Sequence, residues 1–128
     1  MGAIQRLQHT SVPMTPGGHG EARRFYAEVL GMEEIPTPSD LSNLSLVWFR
    51  ASSDGQELHC FATDHDRFGS PDQHLCLQVD DLSSFSERLV EHGIKIEEAQ
   101  RISSRPRCFV RDPFGNLIEL TQIDGEYG

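Results

Sequence analysis

Four side chains of this chain could together hold a divalent metal ion: His9, His59, His74 and Glu119. Imidazole suits Zn²⁺, Fe²⁺, Ni²⁺ or Co²⁺, and a carboxylate also admits Mn²⁺. Two histidines and one carboxylate with open positions is likewise the pattern of non-haem iron sites. Taken singly, a histidine on a strand is more often a structural residue than a ligand. The case for these four rests on their placement in an internal repeat. Setting Phe49 on Phe109 brings Gly55 onto Gly115, Leu58 onto Ile118 and His59 onto Glu119. At the front of each half, Leu7-Gln8-His9 falls on Asp72-Gln73-His74. Ligand-type residues therefore occupy corresponding places in both halves.

The elements that must position them follow from hydrophobic period and turn chemistry. Ile4 to Val12 reads as a strand ended by Pro13. The helix after it carries Ala22, Phe25, Tyr26, Val29 and Leu30 on one stripe and stops at Gly31. Met32 to Ile35 is a short strand, and Leu44 to Arg50 with Glu57 to Thr63 form a hairpin across Ser52-Ser53-Asp54-Gly55. The second half repeats the order. His74 to Val79 is a strand, and Asp80 or Asp81 caps a helix with Leu82, Phe85 and Leu89 on one face and Gly93 at its end. Ile94 to Ala99 is a strand, and Cys108 to Leu120 is a hairpin turning at Asp112-Pro113-Phe114-Gly115-Asn116. The tail from Asp124 to Gly128 is expected to fray. The result is an α+β domain of two tandem βαβββ modules, residues 1–65 and 66–128. A repeat this long and present only twice suggests pseudo-twofold symmetry instead of a solenoid.

Alternation along the strands places the histidines on one face of each sheet. His74 shares its face with Asp72, Cys76 and Gln78, while Leu75, Leu77 and Val79 take the other. If both hairpins turn symmetrically, Phe49 lies opposite His59 and Phe109 opposite Glu119, with Val47, Phe61, Arg107 and Thr121 on the same face. A slip of one residue would reverse those assignments. Sheets with one face under helices and the other curved around a polar cavity fit this pattern. Phe49, Phe61, Phe109 and Arg107 would line the cavity. Of Arg50, Arg105, Arg107 and Arg111, any could receive an anionic substrate, although surface ion pairing suits most of them. His19, His65 and His92 read as solvated, and Cys76 as a small filler.

Composition excludes several partners. With 128 residues and a net charge of −9, nucleic acid and anionic membrane surfaces are poor matches. No apolar run approaches a membrane span, and there is no signal-peptide pattern. The three cysteines, Cys60, Cys76 and Cys108, have no framework spacing, which suggests a cytoplasmic setting.

Four segments in order, Leu7-Gln8-His9, Phe25-Tyr26-Ala27-Glu28-Val29-Leu30-Gly31, Gln78-Val79-Asp80-Asp81-Leu82 and Arg111-Asp112-Pro113-Phe114-Gly115-Asn116-Leu117-Ile118-Glu119-Leu120, span nearly the whole chain. Through them the sequence resembles the vicinal oxygen chelate superfamily, the glyoxalase/bleomycin resistance/extradiol dioxygenase group. The resemblance implies curled mixed sheets around a metal-centred cavity. It implies ligands from the first and last strand of each module, here His9, His74, His59 and Glu119, with His9, His74 and Glu119 as the three-ligand set. It also implies a homodimer, with the cavity built either within one chain or across two.

The resemblance implies a metal-dependent enzyme acting on a small oxygen-bearing substrate, with Glu119 as a ligand that can also serve as base. Isomerase or lyase, thiol transferase and dioxygenase chemistry all stay open. Glyoxalase I commonly has a glutamate where this chain has His59. Fosfomycin-type thiol transferases share the three-ligand set, but their potassium-binding loop has no clear counterpart here. Typical extradiol dioxygenases are twice this length. The alternative is a non-enzymatic drug binder of the bleomycin-resistance kind, which needs no metal and for which an acidic chain suits a cationic drug.

Overall fold

The computed structural model describes residues 2–64 and 70–128, in two units, Met1–Asp66 and Arg67–Gly128. In the first unit, β1 (His9–Met14) is followed by a helix α1 that begins at His19–Ala22 and widens over Arg23–Val29. Then come β2 (Glu33–Ile35), a single 3-10 turn at Ser39–Leu41, β3 (Leu46–Arg50) and β4 (Glu57–Ala62). The sheet order is β1-β4-β3-β2, with β1 and β4 parallel and the other pairs antiparallel. The second unit has β5 (His74–Val79), α2 (Leu82–Glu91), β6 (Glu97–Glu98), β7 (Arg107–Arg111) and β8 (Leu117–Gln122). Its sheet order is β5-β8-β7-β6, the same arrangement. Each unit is a βαβββ module, as expected.

The repeat extends to strand register. Ser11 lies opposite His59 in the parallel pair of the first sheet, and Cys76 lies opposite Glu119 in that of the second. The alignment of His59 with Glu119 and of His9 with His74 therefore holds at the backbone.

Local chemistry explains most element ends. In α1 the apolar stripe buries Ala22, Phe25, Tyr26, Val29 and Leu30. The helix closes through Leu30 N–H donating to the Phe25 carbonyl at 3.0 Å and Gly31 N–H to Ala27 at 3.1 Å. Gly31 takes φ +82°, which favours glycine. Asp81, one of the two expected caps, accepts from the N–H groups of Ser83 and Ser84 at the start of α2.

Three boundaries differ from expectation. β1 starts at His9, not Ile4, because Ile4 and Leu7 are exposed and outside the sheet. β1 also runs through Pro13, which an edge strand tolerates. β6 shrinks to two residues. The C-terminal tail is tied back, with Asp124 N–H donating to the Ser104 carbonyl at 2.9 Å, Arg105 donating to the Gly125 carbonyl, and the Arg105 guanidinium over the Tyr127 ring.

The first hairpin corrects the expected register. Trp48, not Phe49, lies opposite His59, and Phe49 lies opposite Leu58. Phe49 is fully buried, with its ring 5.5 Å from that of Tyr26 on α1, and Val47 is buried on the same helix-covered face. The cause is one residue of loop. In the first hairpin Ala51 N–H bonds to the Gln56 carbonyl around four residues, Ser52 to Gly55. In the second, Asp112 N–H bonds to the Asn116 carbonyl around three, Pro113 to Gly115. One extra residue turns every side chain of β3 to the other face relative to the alignment. In the second hairpin Phe109 does lie opposite Glu119 and Arg107 opposite Thr121.

Candidate metal centre

The second module brings His74, Cys76, Arg107, Phe109, Glu119 and Thr121 onto one face of its sheet, since all sit at alternate positions of paired strands. His74 Nε2 stands 3.1 Å from Glu119 Oε1. His74 Nδ1 stands 2.8 Å from the Asp72 carbonyl oxygen. A carbonyl only accepts, so Nδ1 carries a proton. Nε2 faces a carboxylate oxygen, which also only accepts. A proton on Nε2 makes this contact a hydrogen bond; with that proton gone, Nε2 and Oε1 would both be donors for a metal ion.

Glu119 is ionised here. Burial alone would raise its pKa, but the Thr121 hydroxyl, the Arg107 guanidinium and His74 together outweigh that and hold it below the usual carboxylate range. Thr121 Oγ1 donates to Oε2 at 2.5 Å, and Arg107 Nη1 lies 3.3 Å from Oε1. Thr121 Oγ1 in turn accepts from Cys76 Sγ at 3.4 Å. Oε2 is thus occupied from within the sheet, and Oε1 is the atom presented to His74. The His74 ring meets Phe109 edge-on with centroids 5.0 Å apart, which fixes the ring plane.

The first module assembles a different cluster. His59 is buried between two rings: Trp48 stacks on one side with centroids 3.6 Å apart and His9 on the other at 4.1 Å. His59 Nε2 donates to Glu57 Oε1 at 2.8 Å. Burial pushes the His59 pKa down, Glu57 pulls it back up, and His9 adds to the depression, so the ring is neutral with its proton on Nε2. His9 Nδ1 donates to Gln8 Oε1 at 2.6 Å, which leaves Nε2 as its lone-pair nitrogen. His9 and His74 are alike in that Nδ1–H is bound to an oxygen, the arrangement in which Nε2 is the nitrogen left to ligate a metal.

Among the described residues, no group of three or more His, Cys, Asp or Glu is gathered around one point. Two site residues escaped the sequence. Trp48, the only tryptophan, is displaced onto the His59 face by the loop residue described above. Glu57 had no signal beyond its two-residue spacing from His59. Phe61 lies on the His59 face and is partly exposed. Of the four arginines considered for an anionic substrate, Arg50 pairs with Glu33, Arg111 with Glu97, and Arg105 with the C-terminal tail, leaving Arg107 as the one at the cluster. His19 meets Ser45 Oγ at 3.0 Å, His92 donates to the Arg88 carbonyl, and His65 lies outside the described residues.

The sequence matches the Glyoxalase/Bleomycin resistance protein/Dioxygenase superfamily over residues 6–120. The chain belongs to that superfamily. It is 32% identical to a glyoxalase family protein from Bacillus anthracis, whose crystal structure superposes with a TM-score of 0.86 over 96% of this chain and 98% of that one. A probable lactoylglutathione lyase of Synechocystis is 26% identical, over 94% of this chain and 97% of its own length. The fold is also shared with a mutant of the genomically encoded fosfomycin resistance protein, FosX, from Listeria monocytogenes, in complex with Mn(II) and dihydroxypropylphosphonic acid. That likeness has a TM-score of 0.78 at 17% identity, covering 94% of each chain. No helix among the described residues is long and apolar enough to cross a membrane.

Proposed function

We propose that this chain is a divalent-metal-dependent enzyme of the glyoxalase/dioxygenase type, acting on a small oxygen-bearing substrate. The observation that carries this is the approach of His74 Nε2 to within 3.1 Å of Glu119 Oε1 with Nδ1–H held by the Asp72 carbonyl, so that a deprotonated Nε2 and the carboxylate would both be available to one ion.

His9 is a proposed metal ligand as well, and its Nδ1–H bond to Gln8 prepares Nε2 for that role. His59 holds the His9 ring by stacking; a ligand role for its Nε2 would require Glu57 to give up its proton. Bound there, a divalent ion supplies Lewis acidity toward an oxyanion or enolate. Glu119 acts first as a ligand. Its low pKa makes it a weak base until Thr121 or Arg107 releases it. Phe109 and Phe61 offer apolar walls on their sheets. Homodimer formation belongs to the same proposal, supported by the exposed edge strands β1 and β5, as does a cytoplasmic setting.

The test is elemental analysis of protein purified without a His tag and then incubated with Mn²⁺, Ni²⁺, Co²⁺ or Zn²⁺. About one ion per chain is expected, lost in His74→Ala. Mn²⁺ is a natural first probe, since the Listeria complex contains it. Protein that stays metal-free under all four conditions would overturn the enzyme reading and favour the drug-binding alternative.

A further inference from the structure

Arg107 is held in a way that the metal reading leaves unbalanced. Its Nε and Nη2 donate to the Gln100 carbonyl at 3.1 and 2.7 Å, and its guanidinium lies 5.5 Å from the Phe109 ring centroid. The remaining arm, Nη1, points to Glu119 Oε1, the oxygen that also faces His74. Both side chains are largely buried, 14% exposed for Arg107 and 12% for Glu119. Among the described residues, Glu119 is the only carboxylate within ion-pair distance of Arg107. Glu97, on the neighbouring strand, is paired with Arg111.

A divalent ion held by His74 and Glu119 would draw on the charge of that carboxylate. Arg107 cannot swing into solvent without abandoning both bonds to Gln100. The cluster would then hold a dication, a guanidinium and one carboxylate, with the ligand imidazoles neutral as metal ligation requires, and so would carry two positive charges in excess. A buried guanidinium without a counter-charge is unfavourable. We infer that Arg107 receives a negatively charged oxygen of the substrate beside the metal, so that the enzyme selects small oxyanions, such as carboxylates or enediolates, over neutral carbonyl compounds. The planar fork of arginine suits such a group. This inference rests on the proposed metal reading.

The experiment is calorimetric titration of Mn²⁺ into the untagged protein, then of oxalate into the Mn²⁺-loaded protein, for the wild type, Arg107→Gln and Arg107→Lys. Arg107→Gln should bind Mn²⁺ at least as tightly as the wild type, because a repelling cation is gone, and should bind oxalate about tenfold more weakly. Arg107→Lys, which keeps a counter-ion for Glu119 and so protects the fold, should lose about threefold in oxalate affinity. Oxalate affinity unchanged in the variants, with Mn²⁺ bound, would overturn the role of Arg107 alone. A wild type that takes up no Mn²⁺ would overturn the metal reading and this inference with it.

Discussion

Glu119→Gln is expected to lose both metal affinity and stability, the largest joint effect of any single change on the polar face. Removing a hydrogen-bond partner of a metal ligand typically weakens metal binding about 10–100-fold, so loss of a ligand should weaken Mn²⁺ binding by about a hundredfold or more. Stability should fall by about 3 kcal/mol, because the amide cannot neutralise Arg107, which stays buried and tied to Gln100. The two effects separate in the double variant Glu119→Gln/Arg107→Gln. With the stranded cation also gone, most of the stability should return in urea denaturation, while Mn²⁺ binding should not. A double variant no more stable than Glu119→Gln would show that the ion pair is not what the carboxylate supplies to the fold.

Phe49→Ala is expected to destabilise the protein by about 3–5 kcal/mol, as a large ring removed from a closed core leaves a cavity. Phe49 is fully buried, packs beside Tyr26 and lies opposite Leu58. Trp48→Ala should cost less, since Trp48 is only half-buried, yet it should disturb His59 and His9 by removing one side of the stack. Urea denaturation of the two variants tests the register of the first hairpin. Were the strand shifted by one residue, Trp48 would be the core residue and the order of the two losses would reverse.

That hairpin also shows where the sequence stopped being legible. The element order, the helix stripe from Ala22 to Leu30, Gly31 and Gly93 at helix ends, and the Asp81 cap were all readable, because each follows from local period and local hydrogen bonding. The second hairpin was readable too. Asp112 closes its turn by accepting from the N–H groups of Phe114 and Asn116, so Phe109 and Glu119 had to face each other. The first hairpin is tied instead by Ser52 Oγ donating to Gln56 Oε1 at 3.0 Å, and aligning Phe49 with Phe109 concealed its extra loop residue. Face assignment depends on parity, so one residue moved Phe49 and Val47 into the core and brought Trp48 to His59.

The candidate ligands His9, His59, His74 and Glu119 were nameable from the repeat, but their protonation was not. Which imidazole nitrogen carries the proton depends on contacts that no spacing specifies: the Asp72 carbonyl at His74, the Gln8 side chain at His9, and Glu57 at His59. The same holds for Arg107. Its position on the face of Glu119 followed from alternation, but its anchoring by Gln100 depends on a carbonyl seven residues away in the chain.

The most direct test is proton NMR of the Co²⁺-substituted protein in water, where an N–H on a ligand imidazole is strongly shifted by the paramagnetic ion and exchanges with solvent. Ligation by His74 and His9 through Nε2, with Nδ1–H retained, should give two exchangeable, shifted imidazole resonances, one of which disappears in His74→Ala and the other in His9→Ala. Spectra without shifted exchangeable imidazole resonances, at saturating Co²⁺, would contradict a metal centre built on these histidines.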